Sequence, residues 1–196
     1  SDVNTPTANC ANAYSRVRTW NFTDGCGNTS ANFVQTITVI DTIAPVVTTT
    51  PGALDHTIQC SNTTDIDSAL SQVPTATDNC SATPTMHLVS DVNTPTANCA
   101  NAYSRVRTWN FTDGCNNTST NFVQTITVID TIAPVVTTTP GALDHTILCS
   151  DSTDIDSALS QVPTATDNCS ATPTMHLVSD VNTPTANCAN AYSRVR

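Results

Sequence analysis

Three consecutive stretches decide the fold: YSRVRTWNFT at residues 103–112, DGCNN at 113–117 and NFVQTITVI at 121–129. The first is rich in β-branched and aromatic residues, as strands are. The second is a cluster of Asp, Gly and Asn, the residues that favour a turn. The third alternates apolar with polar side chains, the period of a half-buried strand. Together they predict a long antiparallel hairpin with Trp109 and Phe111 on its core face. Arg105 and Arg107 fall on that same face. Either their stems lie over Tyr103 or Trp109 with the charged heads reaching water, or a bulge switches the face midway.

Outward from the hairpin the pattern is a series of short strands. A first edge strand is expected at 46–50, since Pro45 cannot donate to a central ladder. Strands follow at 56–60, after the Pro51-Gly52 turn, at 73–77 and at 85–90, with one short helical turn at 65–71 and a Pro/Asn-rich connection over 91–101. About seven short strands separated by turns predict a two-sheet sandwich. Composition agrees: all the acidic residues are Asp and all the basic ones Arg, while Thr and Val are abundant. Good helix formers are scarce or absent.

The hairpin is also part of a repeat. SDVNTPTANC opens the sequence at Ser1 and recurs at Ser90 and Ser179, a period of 89 residues. Sliding 1–107 onto 90–196 gives five mismatches: Gly27/Asn116, Ala31/Thr120, Gln59/Leu148, Asn62/Asp151 and Thr63/Ser152. The strand pattern 36–40 ends at Asp41, where a new one begins. The expected organisation is therefore the C-terminal part of one module at 1–40, a complete module at 41–129, and the N-terminal part of the next at 130–196. The linkers are nearly nil, and the whole reads as a window onto a longer array. We call these three stretches the first, middle and last copy.

Each 89-residue period counted from Ser1 carries four cysteines, Cys10, Cys26, Cys60 and Cys80, then Cys99, Cys115, Cys149 and Cys169, with Cys188 opening a third set. None forms a C-x-x-C pair, which disfavours zinc. An even number in a unit too small to stand on burial alone reads as disulfides in an oxidising compartment; buried free thiols are the alternative. The formal net charge of −10 argues against nucleic acid, whose phosphates need Lys and Arg. It suits a soluble chain that repels its neighbours, and it suits cation binding. No long apolar run marks a membrane segment.

Asp113-Gly114-Cys115 with Asn117-Thr118, the run from Gln124 to Pro134, and Ala76-Thr77-Asp78-Asn79-Cys80 resemble the hyalin-repeat-like, immunoglobulin-like modules of giant cell-surface adhesins of the Bacteroidota, including the gliding-motility adhesins. The likeness covers the 89-residue unit and is strongest from Trp109 to Pro134. It departs at Asn116, where a glycine is usual, although Asn also tolerates positive φ. The resemblance implies an all-β fold of immunoglobulin-like β-sandwich modules in tandem, with two disulfides per module, on long extracellular filaments at the cell surface. In an immunoglobulin-like strand order, Cys80 and Cys115 share one end of the module and Cys60 and Cys99 the other. The expected bridges are Cys60–Cys99, Cys80–Cys115 and, in the next copy, Cys149–Cys188. Asp41, Asp78 and Asp113, with the copies Asp130 and Asp167, are candidate ligands for Ca²⁺ at a module junction; turn-capping carboxylates, or a disulfide standing in place of a metal, are the alternatives. Asp65 and Asp67 read as solvated or capping. Thr42, Ser68, Thr131 and Ser157 stand in Asp-Ser/Thr-apolar triplets that resemble a Bacteroidota O-glycosylation signal.

The functional expectation is a structural spacer, the stalk of an adhesin filament. Its partners are neighbouring repeats of the same chain, with a surface or glycan ligand engaged by other domains, and neither nucleic acid nor inserted membrane. A self-assembling fibre or surface-layer subunit, and a calcium-dependent glycan- or surface-binding module, are the rival readings. No enzyme is expected. The only histidines are His56, His87 and their copies His145 and His176, and no nucleophile elbow or paired Glu accompanies them.

Overall fold

The computed structural model describes residues 1–10, 12–99, 101–186 and 190–196. In chain order the elements are β1 (Asp2–Pro6), β2 (Tyr14–Trp20), β3 (Phe33–Val39), β4 (Val46–Val47), β5 (His56–Gln59), α1 (Thr63–Ser71), β6 (Ala76–Thr77), β7 (Thr85–Pro95), β8 (Tyr103–Thr112), β9 (Phe122–Ile129), β10 (Val135–Val136), α2 (Ser152–Ser160), β11 (Ala165–Thr166), β12 (Val181–Pro184) and β13 (Tyr192–Val195). This is an all-β, immunoglobulin-like domain architecture with two short helices. The chain divides into two compact units. One comprises residues 1–58, 62–95 and 103–128; the other comprises 59–61, 96–102 and 129–196.

The first unit is organised by the hairpin of β8 and β9, in register from Tyr103 opposite Val128 to Trp109 opposite Phe122. β7 lies on the far side of β8 and β5 on the far side of β9, giving the sheet order β5-β9-β8-β7. β4 and β6 form a separate two-stranded sheet. The alternation of β9 puts Phe122, Gln124, Ile126 and Val128 on one buried face. Trp109, Phe111, Ile58 and Ala69 complete that core. The strands expected at 46–50 and 73–77 are only Val46–Val47 and Ala76–Thr77, and two further elements differ from the sequence expectation. Residues 91–95, expected in a connection, continue β7 past an irregularity between Leu88 and Ser90. The expected single helical turn is a nine-residue helix, capped by Asn62 accepting from the Asp65 N–H, which satisfies one of the donors a helix start leaves unpaired.

Arg107 shows how the arginines share the aromatic face. Its guanidinium lies 4.5 Å above the Trp109 ring and donates to the carbonyls of Leu70 and Gln72 and to Gln124 Oε1. Gln124 is itself fully buried, and its amide donates to the carbonyls of Leu54 and Ala69. The C-terminal turn of α1 is thus tied to the sheet by a polar knot inside the core. Burial pushes the Arg107 guanidinium below its ordinary pKa. Asp91 on the neighbouring strand pairs with Arg105 at 2.7 Å and lies 3.9 Å from Arg107. The irregularity is on β7, not on β8, and Trp109 and Arg107 face the core side together.

The first copy contributes only the sheet β1-β2-β3. No helix or second sheet covers it among the described residues, so Phe33 is 63% exposed where its counterpart Phe122 is 4%. In the second unit, β10 pairs β11 and β12 pairs β13. There α2 is capped by Asp151, which accepts from the Asp154 N–H. The Asn62/Asp151 mismatch therefore keeps the capping function.

Candidate functional site

Cys10, Cys80 and Cys115 in the first unit, and Cys60 and Cys169 in the second, gather with the candidate aspartates where one copy meets the next, whereas Cys26 and Cys149 are exposed and unbonded among the described residues. In the first unit the junction is built from four short segments: the loop 7–13, Ile40-Asp41, the turn at Asp78–Cys80, and the turn 113–117. The loop 7–13 closes on itself through Thr7 N to Ala13 O and Ala13 N to Cys10 O. Its bends are left-handed at Asn9 and Asn12, which Asn tolerates better than most residues. Asn12 Nδ2 then reaches the carbonyl of Cys80 at 2.9 Å. The turn 113–117 wraps around the Asp113 carboxylate, which accepts from the backbone N–H of Cys115 and of Asn117 and from Asn117 Nδ2. Asn117 Nδ2 also donates to the Asp41 carbonyl. Burial pushes the Asp113 carboxyl up, but the hydrogen bonds from Asn117 and Cys115 outweigh it and hold it below the ordinary value.

Across this junction Cys10 is bonded to Cys115, with their Cα atoms 4.4 Å apart. In the second unit Cys60 is bonded to Cys169, with Cα atoms 5.8 Å apart. These bonds replace the expected pairs Cys60–Cys99 and Cys80–Cys115. The physical reason is the nearly absent linker. Loops at the end of a copy lie against the loops of the adjoining copy, so a cysteine there meets a sulfur from the next copy rather than one from its own. Cys80 and Cys99 are unbonded among the described residues. Burial, followed by the negative charges of Asp41, Asp78 and Asp113, pushes the Cys80 thiol up. Cys149 is exposed; its expected partner Cys188 lies outside the described residues.

The second unit repeats the junction's chemistry. Asn101, also left-handed, donates to the Cys169 carbonyl. Asp167 accepts from the N–H of Cys169 and Ser170, as Asp78 accepts from Cys80 and Ser81. Cys60 N–H donates to the Ile129 carbonyl, and Gln59 bonds the Thr131 hydroxyl.

Calcium takes roughly six to eight oxygen ligands. The ligand atoms of Asp41, Asp113 and Cys115 lie within 4.8 Å of one another, and so do those of Cys60, Asp130 and Cys169. Every sulfur in these groups is bound in a disulfide. Both Asp113 oxygens already accept N–H bonds, and Asp41 Oδ1 accepts from Ile43. Asp41 Oδ2 remains, buried without a partner; Asp78 Oδ1 and Asp167 Oδ2 are likewise unpartnered, yet neither Asp78 nor Asp167 belongs to those groups. Each of these groups offers at most two carboxylates, fewer oxygens than calcium usually takes. Asp78, Asp113 and Asp167 each accept from two backbone N–H groups of the turn that follows, whereas Asp41 and Asp130 each accept from the N–H two residues on, Ile43 and Ile132.

The four glycosylation candidates Thr42, Ser68, Thr131 and Ser157 are exposed. A concavity of about 460 Å³ between residues 44–51 and 118–122 is lined by aliphatic, Thr, Asn, Pro and Phe side chains and holds no titratable group. The sequence did not single out Asn12 with its copy Asn101, nor show that Gly114 serves the adjoining copy as well as its own turn. Their signal was present in the Asn-rich loop and the Asp-Gly turn, but only a neighbouring copy gives those residues a partner.

None of the described helices is long and apolar enough to cross a membrane. Residues 48–128 match the family model of a HYR-like domain with 4 cysteines, and that stretch contains Cys60, Cys80, Cys99 and Cys115. No curated protein and no solved structure matches the chain significantly. The match and the disulfides point to an extracellular, adhesion-type module that is similar to hyalin repeats.

Proposed function

We propose that the chain is a run of spacer modules in the stalk of an adhesin filament on a bacterial cell surface. The observation that carries this reading is covalent: Cys10–Cys115 and Cys60–Cys169 each join one copy to the next. Covalent links between successive copies suit a load-bearing element. Repetition supplies length, short connections supply stiffness, and the bridges carry tension past the hydrogen bonds of the sheets. The acidic surface keeps parallel filaments apart. Ligand recognition then belongs to other domains of the parent protein.

Electron microscopy of the full-length protein tests this. A beaded thread is expected, with one bead per 89-residue copy and a spacing of roughly 40 Å, about twelve strand residues. A compact particle whose copies share one globular body would defeat the proposal.

A further inference from the structure

Two junctions, one in each unit, carry the same chemistry one period apart. Moving along the sequence by one period turns Cys10, Asn12, Asp41, Asp78 and Cys80 into Cys99, Asn101, Asp130, Asp167 and Cys169. The contacts move with them. Asn12 donates to the Cys80 carbonyl and Asn101 to the Cys169 carbonyl. Asp78 and Asp167 cap equivalent turns. The disulfides are complementary. The first unit has the Cys10–Cys115 bridge and leaves Cys80 unbonded; the second has the Cys60–Cys169 bridge and leaves Cys99 unbonded. Cys80 is the period-equivalent of bonded Cys169, and Cys99 that of bonded Cys10.

We propose that every junction between copies carries both bridges, and that all four cysteines of a copy are used between copies and none within one. Cys99 bonds the cysteine 105 residues after it, as Cys10 does. Cys80 bonds the cysteine 109 residues before it, as Cys169 does. Each copy is then linked twice to the copy before it and twice to the copy after. Each bridge forms by exchange with a disulfide donor, either an oxidised dithiol protein or a small-molecule disulfide. One thiolate attacks the donor's S–S bond to give a mixed disulfide. The second thiolate then displaces the donor, which leaves as two thiols carrying the two protons. The donor gains the two electrons that the cysteine pair loses.

The pattern has a mechanical consequence that pairing within a copy lacks. The bridges overlap along the chain, so a covalent path runs from Cys10 across to Cys115, back along 16 residues of backbone to Cys99, and across again into the next copy. Only those 16 residues and one disulfide separate equivalent points of successive copies. With pairing inside each copy, as in Cys60–Cys99, the shortest path still needs the 50 residues from Cys99 to Cys149.

Force spectroscopy on the full-length oxidised protein, held by its two ends, reads this path directly. At roughly 3.3–3.6 Å per extended residue, the expected contour length of a fully unfolded copy is about 60 Å, rising about fivefold to roughly 300 Å after reduction. A contour of about 170 Å or more per copy before reduction overturns the proposal. A second measurement needs no unfolding under load: alkylation of the denatured, unreduced protein should find no free thiol in internal copies, and two free thiols per copy would equally overturn it. Neither result depends on whether the filament is an adhesin stalk, so failure here leaves that reading to its own test.

Discussion

The carbonyl oxygen of Asn9 occupies the space that a β-carbon on Gly114 would need. Gly114 does not have positive φ, so glycine is required there by the closeness of another backbone, not by its own conformation. That closeness is the junction itself: Asn9 precedes Cys10, and Gly114 precedes Cys115. The period-equivalent Gly25 has nothing within 4 Å of its would-be Cβ. Gly114→Ala should therefore force the loop 7–13 away, destabilise the protein by about 1–3 kcal/mol and slow closure of the Cys10–Cys115 bridge. Gly25→Ala should do neither. Denaturant unfolding and the rate of thiol loss during oxidation report the two effects.

The bridge itself makes a second prediction. Cys10 and Cys115 are 105 residues apart, and in the chain-entropy account a loop of that size stabilises by about 4–5 kcal/mol through the unfolded state. Cys115→Ser should lose most of this, measured by denaturant unfolding without reductant. In excess reductant the variant and the parent chain should converge, because both then lack the constraint. A difference that persists in reductant would mean that Cys115 acts through packing instead.

Gln124 and Arg107 hold each other inside the core, and the repeat supplies an internal control. Gln124 is fully buried and bonds two backbone carbonyls as well as Arg107; its copy Gln35 is exposed. Gln124→Ala leaves buried acceptors and a guanidinium short of partners, each at a cost of roughly 1–3 kcal/mol. A total loss of about 3 kcal/mol or more is expected, read from the unfolding midpoint. Gln35→Ala should change stability by less than about 0.5 kcal/mol.

These cases mark how far the sequence could be read. The hairpin, the helix position and the all-β class were legible because periodicity and turn chemistry are local: Phe122, Ile126 and Val128 recur at every second position. Gln124 breaks the apolar alternation of the same strand, and nothing local reveals that Arg107 and the carbonyls of Leu54 and Ala69 will satisfy it. Residues 91–95 looked like a loop because Asn93 and Pro95 disfavour strands, but pairing with residues 103–107 of β8 overrides that preference. The cysteines were legible as disulfides but not as partners. Treating the copy as a closed domain set Cys60 against Cys99, whereas the adjoining copy supplies Cys169. The junction roles of Gly114 and Asn12 were hidden for the same reason, since the atoms they serve there belong to another copy.

Chelation distinguishes a disulfide-held junction from a metal-held one. The unpartnered oxygen of Asp41 faces a group whose other atoms are already engaged in hydrogen bonds or a disulfide. Removing divalent cations with excess chelator should leave the melting temperature of the oxidised protein unchanged. A fall of several degrees that added calcium reverses would show that the junction gathers more oxygens than Asp41 and Asp113 offer.

Acid should loosen the same junction by a different route. Asp113 sits below the ordinary carboxylate value of 3.8, because the N–H groups of Asn117 and Cys115 favour its charged form more than burial disfavours it. Asp91 is lowered as well, first by its hydrogen bond from Arg105. A carboxylate whose pKa is depressed by folding adds stability that is fully present above the unfolded-state value and disappears as pH falls through the folded-state value. The melting temperature should therefore be insensitive to these groups above about pH 5 and should fall steadily below 3.8. Asp113→Asn removes one titrating group and puts an amide where three N–H donors converge. It should lower stability near neutral pH and flatten the acid limb of the melting curve. An acid limb of unchanged steepness in that variant would assign the pH dependence to Asp91 and its copies, whose pairing with Arg105 can be removed separately by Asp91→Asn.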